Sequence, residues 1–252
     1  MAQKKTIILL HGLRGDHYGL SQIAENLEER GYNVHNLDLP GYGENKALDD
    51  QSLDGYADWL KQYITQQKLT KPVVIGHSMG SIISSHFAKK YPELSSRKIV
   101  LVSPIFRTSK KQKFSKLNYF CSTAFLHLLV PPLRLAFLRA KAFSWVVSHM
   151  LTVDKSLQKE IDRQHFDHCG NFHSAKKIMN DIKISMCAQT ALDLDKDIAI
   201  CMGVGDKMTP IKVARERAQE YGILFKEVPG AGHLINYERP DIVADFIADF
   251  IS

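Results

Sequence analysis

Long apolar runs are missing from this sequence. The greasiest stretch, Leu117 to Leu138, is interrupted by Asn118, His127, the Pro131–Pro132 pair and Arg134, so no bilayer-spanning helix is expected. The opening residues offer no export signal: after two lysines and Thr6, the run Ile7–Leu10 is too short for a signal-peptide core and lacks a small-residue cleavage site, so it reads as a first strand. Cysteine is scarce. Cys121, Cys169, Cys187 and Cys201 show no C-x-x-C spacing, which without an export signal predicts free thiols and a cytoplasmic location. A metal site is not expected either. His165, His168 and His173 gather around Asp167 and Cys169, but no second ligand pair at zinc-like spacing accompanies them. There is no nucleic-acid-binding motif, internal repeat or low-complexity tract.

What is present is the composition of an ordinary globular chain, 252 residues with 44% hydrophobic and 24% charged residues, enough for one large domain with an insertion. Short β-branched runs at Lys5–Leu10, Asn33–Asp38, Pro72–Gly76, Lys98–Ser103, Ile198–Val204 and Ile223–Val228 predict strands. Helical periodicity lies between them. Leu20, Ile23, Ala24 and Leu27 share one face ahead of Gly31, as do Leu53, Tyr56, Ala57, Leu60, Tyr63 and Ile64; Ile242, Val243, Phe246, Ile247 and Phe250 follow Pro240 in a first-turn position. This alternation predicts an α/β fold, a mostly parallel central sheet with helices on both faces.

The alternation stops after Ser103. Residues 104–185 read as helices rich in Phe, Leu, Lys and Arg, an insertion leaving the carboxyl end of a strand, where open α/β sheets bind ligands. The expected organisation is a core of residues 1–103 and 186–252 with a helical lid at 104–185. The lid holds 14 Lys/Arg against 5 Asp/Glu, whereas the whole chain carries +6. Such a basic surface suits solubility, and it could also touch anionic lipid peripherally. Phe120, Phe125, Leu128, Leu129, Phe137, Leu138, Trp145 and Val146 could line an acyl pocket or simply pack between helices.

The chemistry concentrates in Gly76-His77-Ser78-Met79-Gly80, a G-x-S-x-G placed between a predicted strand and a predicted helix. A serine on such a sharp turn needs small neighbours, and its hydroxyl is thrust out of the sheet. Serine is a poor nucleophile near neutral pH and needs a base. His233 follows the final strand in Pro229-Gly230-Ala231-Gly232-His233, so it emerges at the same sheet edge. His77 should point away from the serine, His35 lies in a strand and His86 on the following helix. Asp206, in Gly203-Val204-Gly205-Asp206 after the fifth strand, is the carboxylate placed to orient the base; Asp193, Asp195 and Asp197 precede that strand and belong at its other end. Two backbone N–H groups, of Leu13 in His11-Gly12-Leu13-Arg14-Gly15 and of Met79 at the helix start, are the expected oxyanion donors.

With His11-Gly12, Asp38-Leu39-Pro40-Gly41-Tyr42-Gly43, the 76–80 turn, Asp206 and Gly232-His233 in place, the chain resembles the α/β-hydrolase family, in particular its small lidded esterases and monoacylglycerol-lipase-like members. The resemblance covers residues 5–103 and 198–251. It implies cofactor-free acyl-enzyme chemistry on a small-molecule ester, with a structural role for the Asp-x-Pro-Gly-x-Gly turn. Two residues depart from the pattern: Ser81 where many relatives have glycine, and Asn45 where serine is common. The expected activity is hydrolysis of carboxylic esters with a medium or long acyl chain. Acyl transfer or carbon–carbon bond hydrolysis on the same three side chains, or ligand binding without catalysis, are the alternatives.

Overall fold

A computed structural model describes residues 4–13, 15–43, 45–106, 149–167 and 189–252. Its centre is a six-stranded parallel sheet in the order β2-β1-β3-β4-β5-β6, formed by β1 (Thr6–Leu10), β2 (Asn33–Leu37), β3 (Val73–His77), β4 (Lys98–Val102), β5 (Asp197–Gly203) and β6 (Leu224–Val228). The predicted strands are all present, displaced by at most one residue at their ends. The third extends to His77 because that residue still pairs with Val102 of β4.

Helices cover both faces, as strands buried on both sides require. Alternate side chains of the strands divide between them. Ile7, Leu9, Val73, Ile75, Val100, Val102, Ala199 and Cys201 pack with Ile23 and Leu27 of α1 (Ser21–Glu29) and with Val243, Ile247 and Ile251 of the last helix, Pro240–Ile251. Ile8, Leu10 and Val74 face the other way. They meet Tyr56, Leu60 and Ile64 of α2 (Leu53–Gln66) and Ile82, Ile83 and Phe87 of α3 (Met79–Lys90). Further along that face, Ile99, Leu101, Ile200 and Met202 pack on Ala88, Ala191, Leu192 and Ala214, the last within Ile211–Glu220.

Gly31 ends α1 as its spacing predicts. At φ +87° it lets its own N–H reach Glu28 O and that of Tyr32 reach Leu27 O, two carbonyls the helix leaves open. The same motif closes α2 with Lys68 at φ +53° in the glycine position.

After β1 the chain first builds β2 on one side and then crosses to β3 on the other, so β1 and β3 are neighbours whose following loops diverge to opposite faces. That divergence opens a crevice at their carboxyl ends, the place where such sheets bind ligands. Of the predicted lid, residues 107–148 and 168–185 lie outside the described residues, as do 186–188 of the predicted core. Its described part contains a 3-10 turn at Lys155–Leu157 and the helix α4 (Gln158–Asp167). Phe106, just inside the predicted lid boundary, is buried with the core cluster around Leu101 and Met202. No described helix is long and apolar enough to cross a membrane.

Candidate active site

Ser78 stands at the junction of β3 and α3 with φ 52° and ψ −113°, a backbone conformation that L-residues avoid and that costs on the order of 1–3 kcal/mol. The surroundings hold it there. Its N–H continues the sheet ladder to Val102 O at 2.9 Å. A Cβ at Gly76 would collide with the Gly80 backbone, and one at Gly80 with the carbonyl of Leu10, so the turn closes only with glycine at both places. Ser81 has a role that glycine could not fill: its buried hydroxyl donates to Gly76 O at 2.6 Å and approaches Val102 O at 3.3 Å, fastening the first turn of α3 to the strand ends.

Three side chains from three loops meet at this point. His233 Nε2 lies 2.9 Å from Ser78 Oγ, and its Nδ1 lies 2.8 Å from Asp206 Oδ2. Asp206 is fixed in turn by Oδ1, which accepts the backbone N–H groups of Met208 at 2.7 Å and Thr209 at 3.1 Å. All three residues are buried, the Asp206 side chain completely. An ionised carboxylate facing Nδ1 selects the tautomer with its proton there, leaving the Nε2 lone pair directed at the serine hydroxyl. The other carboxylates considered from sequence are elsewhere. Asp197 opens β5 at its amino end, where Arg97 pairs with it and with Asp195.

Met79 directly follows the serine, and the loop that carries Leu13 approaches it through Gly12. Met79 N–H belongs to the first turn of α3, where a helix has no internal acceptor to offer. Leu13 follows Gly12, which is pressed against the turn so closely that a Cβ there would lie 3.2 Å from Ser78 Cβ and 3.0 Å from His77 Nδ1. The loop is held by His11. Leu39 N–H donates to His11 Nε2 at 2.9 Å, so the other nitrogen carries the proton and donates to Gly12 O at 2.8 Å. Burial lowers the pKa of this imidazole from 6.5 to about 4.

The Asp38–Gly43 turn supports the same loop from outside. Asp38 Oδ1 accepts from the backbone N–H of His17 and lies 2.8 Å from His17 Nδ1, while a Cβ at Gly43, whose φ is +53°, would strike the Asp38 carboxylate. Asn45, the second departure from the family pattern, donates to Asp38 O at 2.6 Å and closes the turn.

Residues 5–240 match the family model described as the alpha/beta hydrolase fold. The chain belongs to that family. Among curated relatives of this alpha/beta hydrolase, a Mycoplasma genitalium protein named as an esterase/lipase is 25% identical, the match covering 99% of this chain and 90% of that one. A pimeloyl-[acyl-carrier protein] methyl ester esterase of Chromobacterium violaceum is 34% identical over 42% of this chain and 40% of its own length. Solved folds agree. An esterase from Exiguobacterium antarcticum superposes with TM-score 0.78 at 17% identity, spanning 100% of this alpha/beta hydrolase and 93% of that chain.

Two participants escape sequence reasoning. His77 is not idle: Nε2 donates to the backbone carbonyl of His233 at 2.9 Å. Its place next to Ser78 is the one signal that could have found it. Glu238 is buried, and both its oxygens bind backbone N–H groups around the His233 loop. His35 and His86 contact Tyr63 and Asp54, away from the site. No grouping of metal-binding side chains occurs among the described residues; His168 and His173 lie outside them, as does the side chain of His165. Cys201 is free and enclosed in the sheet, its thiol pushed up to about 12 by burial, while Cys121, Cys169 and Cys187 lie outside the described residues.

Proposed function

We propose that the chain is a serine hydrolase of carboxylic esters in which Ser78 is the nucleophile, His233 the general base and Asp206 the residue that orients and charges against the base. The observation that carries this is the 2.9 Å separation of His233 Nε2 from Ser78 Oγ, with Asp206 2.8 Å from the far side of the ring. His233 takes the hydroxyl proton as Oγ attacks the ester carbon, then delivers it to the departing alcohol. The negative charge on the former carbonyl oxygen is met by the N–H groups of Leu13 and Met79. Water, deprotonated by the same imidazole, attacks the acyl-Ser78 ester and releases the acid, restoring the free serine. None of these steps requires a cofactor.

A medium or long acyl chain suits the rim of the site. Met150, Val153, Val204 and Met208 are large apolar residues left substantially exposed; Val204 and Met208 stand two residues either side of Asp206 in the chain, and the Val153 side chain lies against Gly205. The names of the relatives, an esterase/lipase and a methyl ester esterase, agree with ester substrates in general. Met150 and Val153 belong to the lid at 104–185, whose basic surface would favour anionic lipid.

The test is labelling with a fluorophosphonate, followed by hydrolysis of esters of rising acyl length. Wild type should take the label and prefer the longer chains; Ser78→Ala should lose both label and turnover. Equal labelling of the two proteins would overturn the assignment of Ser78.

A further inference from the structure

Glu238 belongs to the short helix Ile235–Glu238 just after His233, and a glutamate beside an arginine would ordinarily face water. Here only 3% of the residue is exposed. Its Oε1 accepts the N–H groups of Val153 and Asp154, both at 2.6 Å, and its Oε2 accepts the N–H of Gly232 at 2.7 Å. One carboxylate therefore joins two stretches of backbone some eighty residues apart in the chain. Burial of a charge is tolerated only when its acceptors are filled, and three amide donors fill them.

The same two stretches are joined independently by backbone. Leu151 O accepts the N–H of His233 at 2.9 Å and approaches that of Leu234 at 3.5 Å. Sterically, each loop has a glycine where the 151–154 segment lies. A Cβ at Gly232 would collide with the Leu151 carbonyl, and one at Gly205 with the Val153 side chain. Gly232 immediately precedes His233, and Gly205 immediately precedes Asp206. The segment lies outside any sheet ladder, so its amides need acceptors from elsewhere, and Glu238 provides them.

We infer that Glu238 is a positioning residue for His233: by clamping residues 151–154 onto the loop of the base, it sets how closely the imidazole is held to Ser78 Oγ. The inference rests on the assignment of His233 as base. An apolar side chain could fill the volume of Glu238, but it would leave the buried Gly232 N–H and the part-buried N–H groups of Val153 and Asp154 without this acceptor and free the loop. Displacement of the ring by about 1 Å is enough to cost on the order of 100-fold in rate.

Glu238→Gln retains the shape but replaces one acceptor oxygen with an NH2 that opposes backbone N–H groups. With active sites counted by fluorophosphonate titration, kcat per labelled site on a short soluble ester should fall about 10- to 100-fold, with KM within about threefold of wild type. The low-field proton resonance of His233 Nδ1–H should shift or broaden. A purely structural role would lower the number of labelled sites and leave both readouts unchanged, and that result overturns the inference. Should the variant not fold, amide exchange on wild type decides. Val153, Asp154, Gly232 and His233 should be protected and open together, whereas exchange of Val153 and Asp154 at free-peptide rates contradicts the clamp. Wild type that takes no label refutes the assignment of Ser78 instead, and the exchange measurement still judges the clamp.

Discussion

Asp206 divides its two oxygens between two tasks: Oδ2 faces His233 Nδ1 at 2.8 Å, while Oδ1 accepts the backbone N–H groups of Met208 and Thr209. The carboxylate therefore cannot rotate away from the ring without breaking its own turn. Thr209 extends the anchorage, donating from Oγ1 to Pro104 O at 3.1 Å and accepting the Phe106 N–H, so the loop that carries Asp206 is tied to the chain leaving β4.

Asp206→Asn is expected to preserve this turn through its carbonyl oxygen and to present an NH2 to Nδ1. The imidazole would then favour the tautomer with its proton on Nε2, unable to accept from Ser78. A fall of about 10⁴-fold in kcat, with an unchanged circular dichroism spectrum, is expected from steady-state ester hydrolysis. A decrease smaller than tenfold would argue that another carboxylate serves the base.

His11 makes stability depend on pH. Its pKa is near 6.5 in the unfolded chain and about 4 in the folded one, so between these values the unfolded state binds more protons. Stability should be fully present above about pH 6.5 and should decline as pH falls towards about 4, by roughly 3 kcal/mol in all. Urea denaturation at several pH values, compared with His11→Gln, isolates this contribution. The variant should lose that part of the slope, and the lowered pKa values of Asp54, Asp58, Asp154 and Glu227 should remain to weaken both proteins at more acid pH.

Lys68 offers a stabilising change. It is exposed and holds φ +53° after α2, where its N–H reaches Thr65 O and that of Leu69 reaches Ile64 O. A side chain in this left-handed region costs about 1 kcal/mol or more, a penalty glycine avoids. Lys68→Gly should raise the urea midpoint by the equivalent of about 0.5–1 kcal/mol with activity unaltered. A lower midpoint would show that the added freedom of glycine in the unfolded chain prevails.

Much of the architecture is written locally. Strand and helix faces follow from the spacing of apolar residues, and the faces read from sequence are those that pack: Ile23 and Leu27 on one side of the sheet, Tyr56 and Leu60 on the other. The Ser78 turn is equally local, because Gly76 and Gly80 are demanded by backbone approaches within one strand–turn–helix unit. Placing Asp206 and His233 with it required only that both follow parallel strands, since such strands deliver their loops to one edge.

The supporting contacts are another matter. Nothing in a Glu-Arg-Pro string distinguishes a solvated charge from the buried Glu238, and nothing beside Leu39 announces that its N–H will fix the tautomer of His11. These depend on which distant backbone segments come to lie against a side chain, and on whether water is excluded there. Sequence alone therefore determined the element faces, the strained serine and the edge at which three loops converge. Only the tertiary structure decided which polar groups would be buried and what would satisfy them, because hydrogen-bond partners across long loops are selected by packing and not by spacing along the chain.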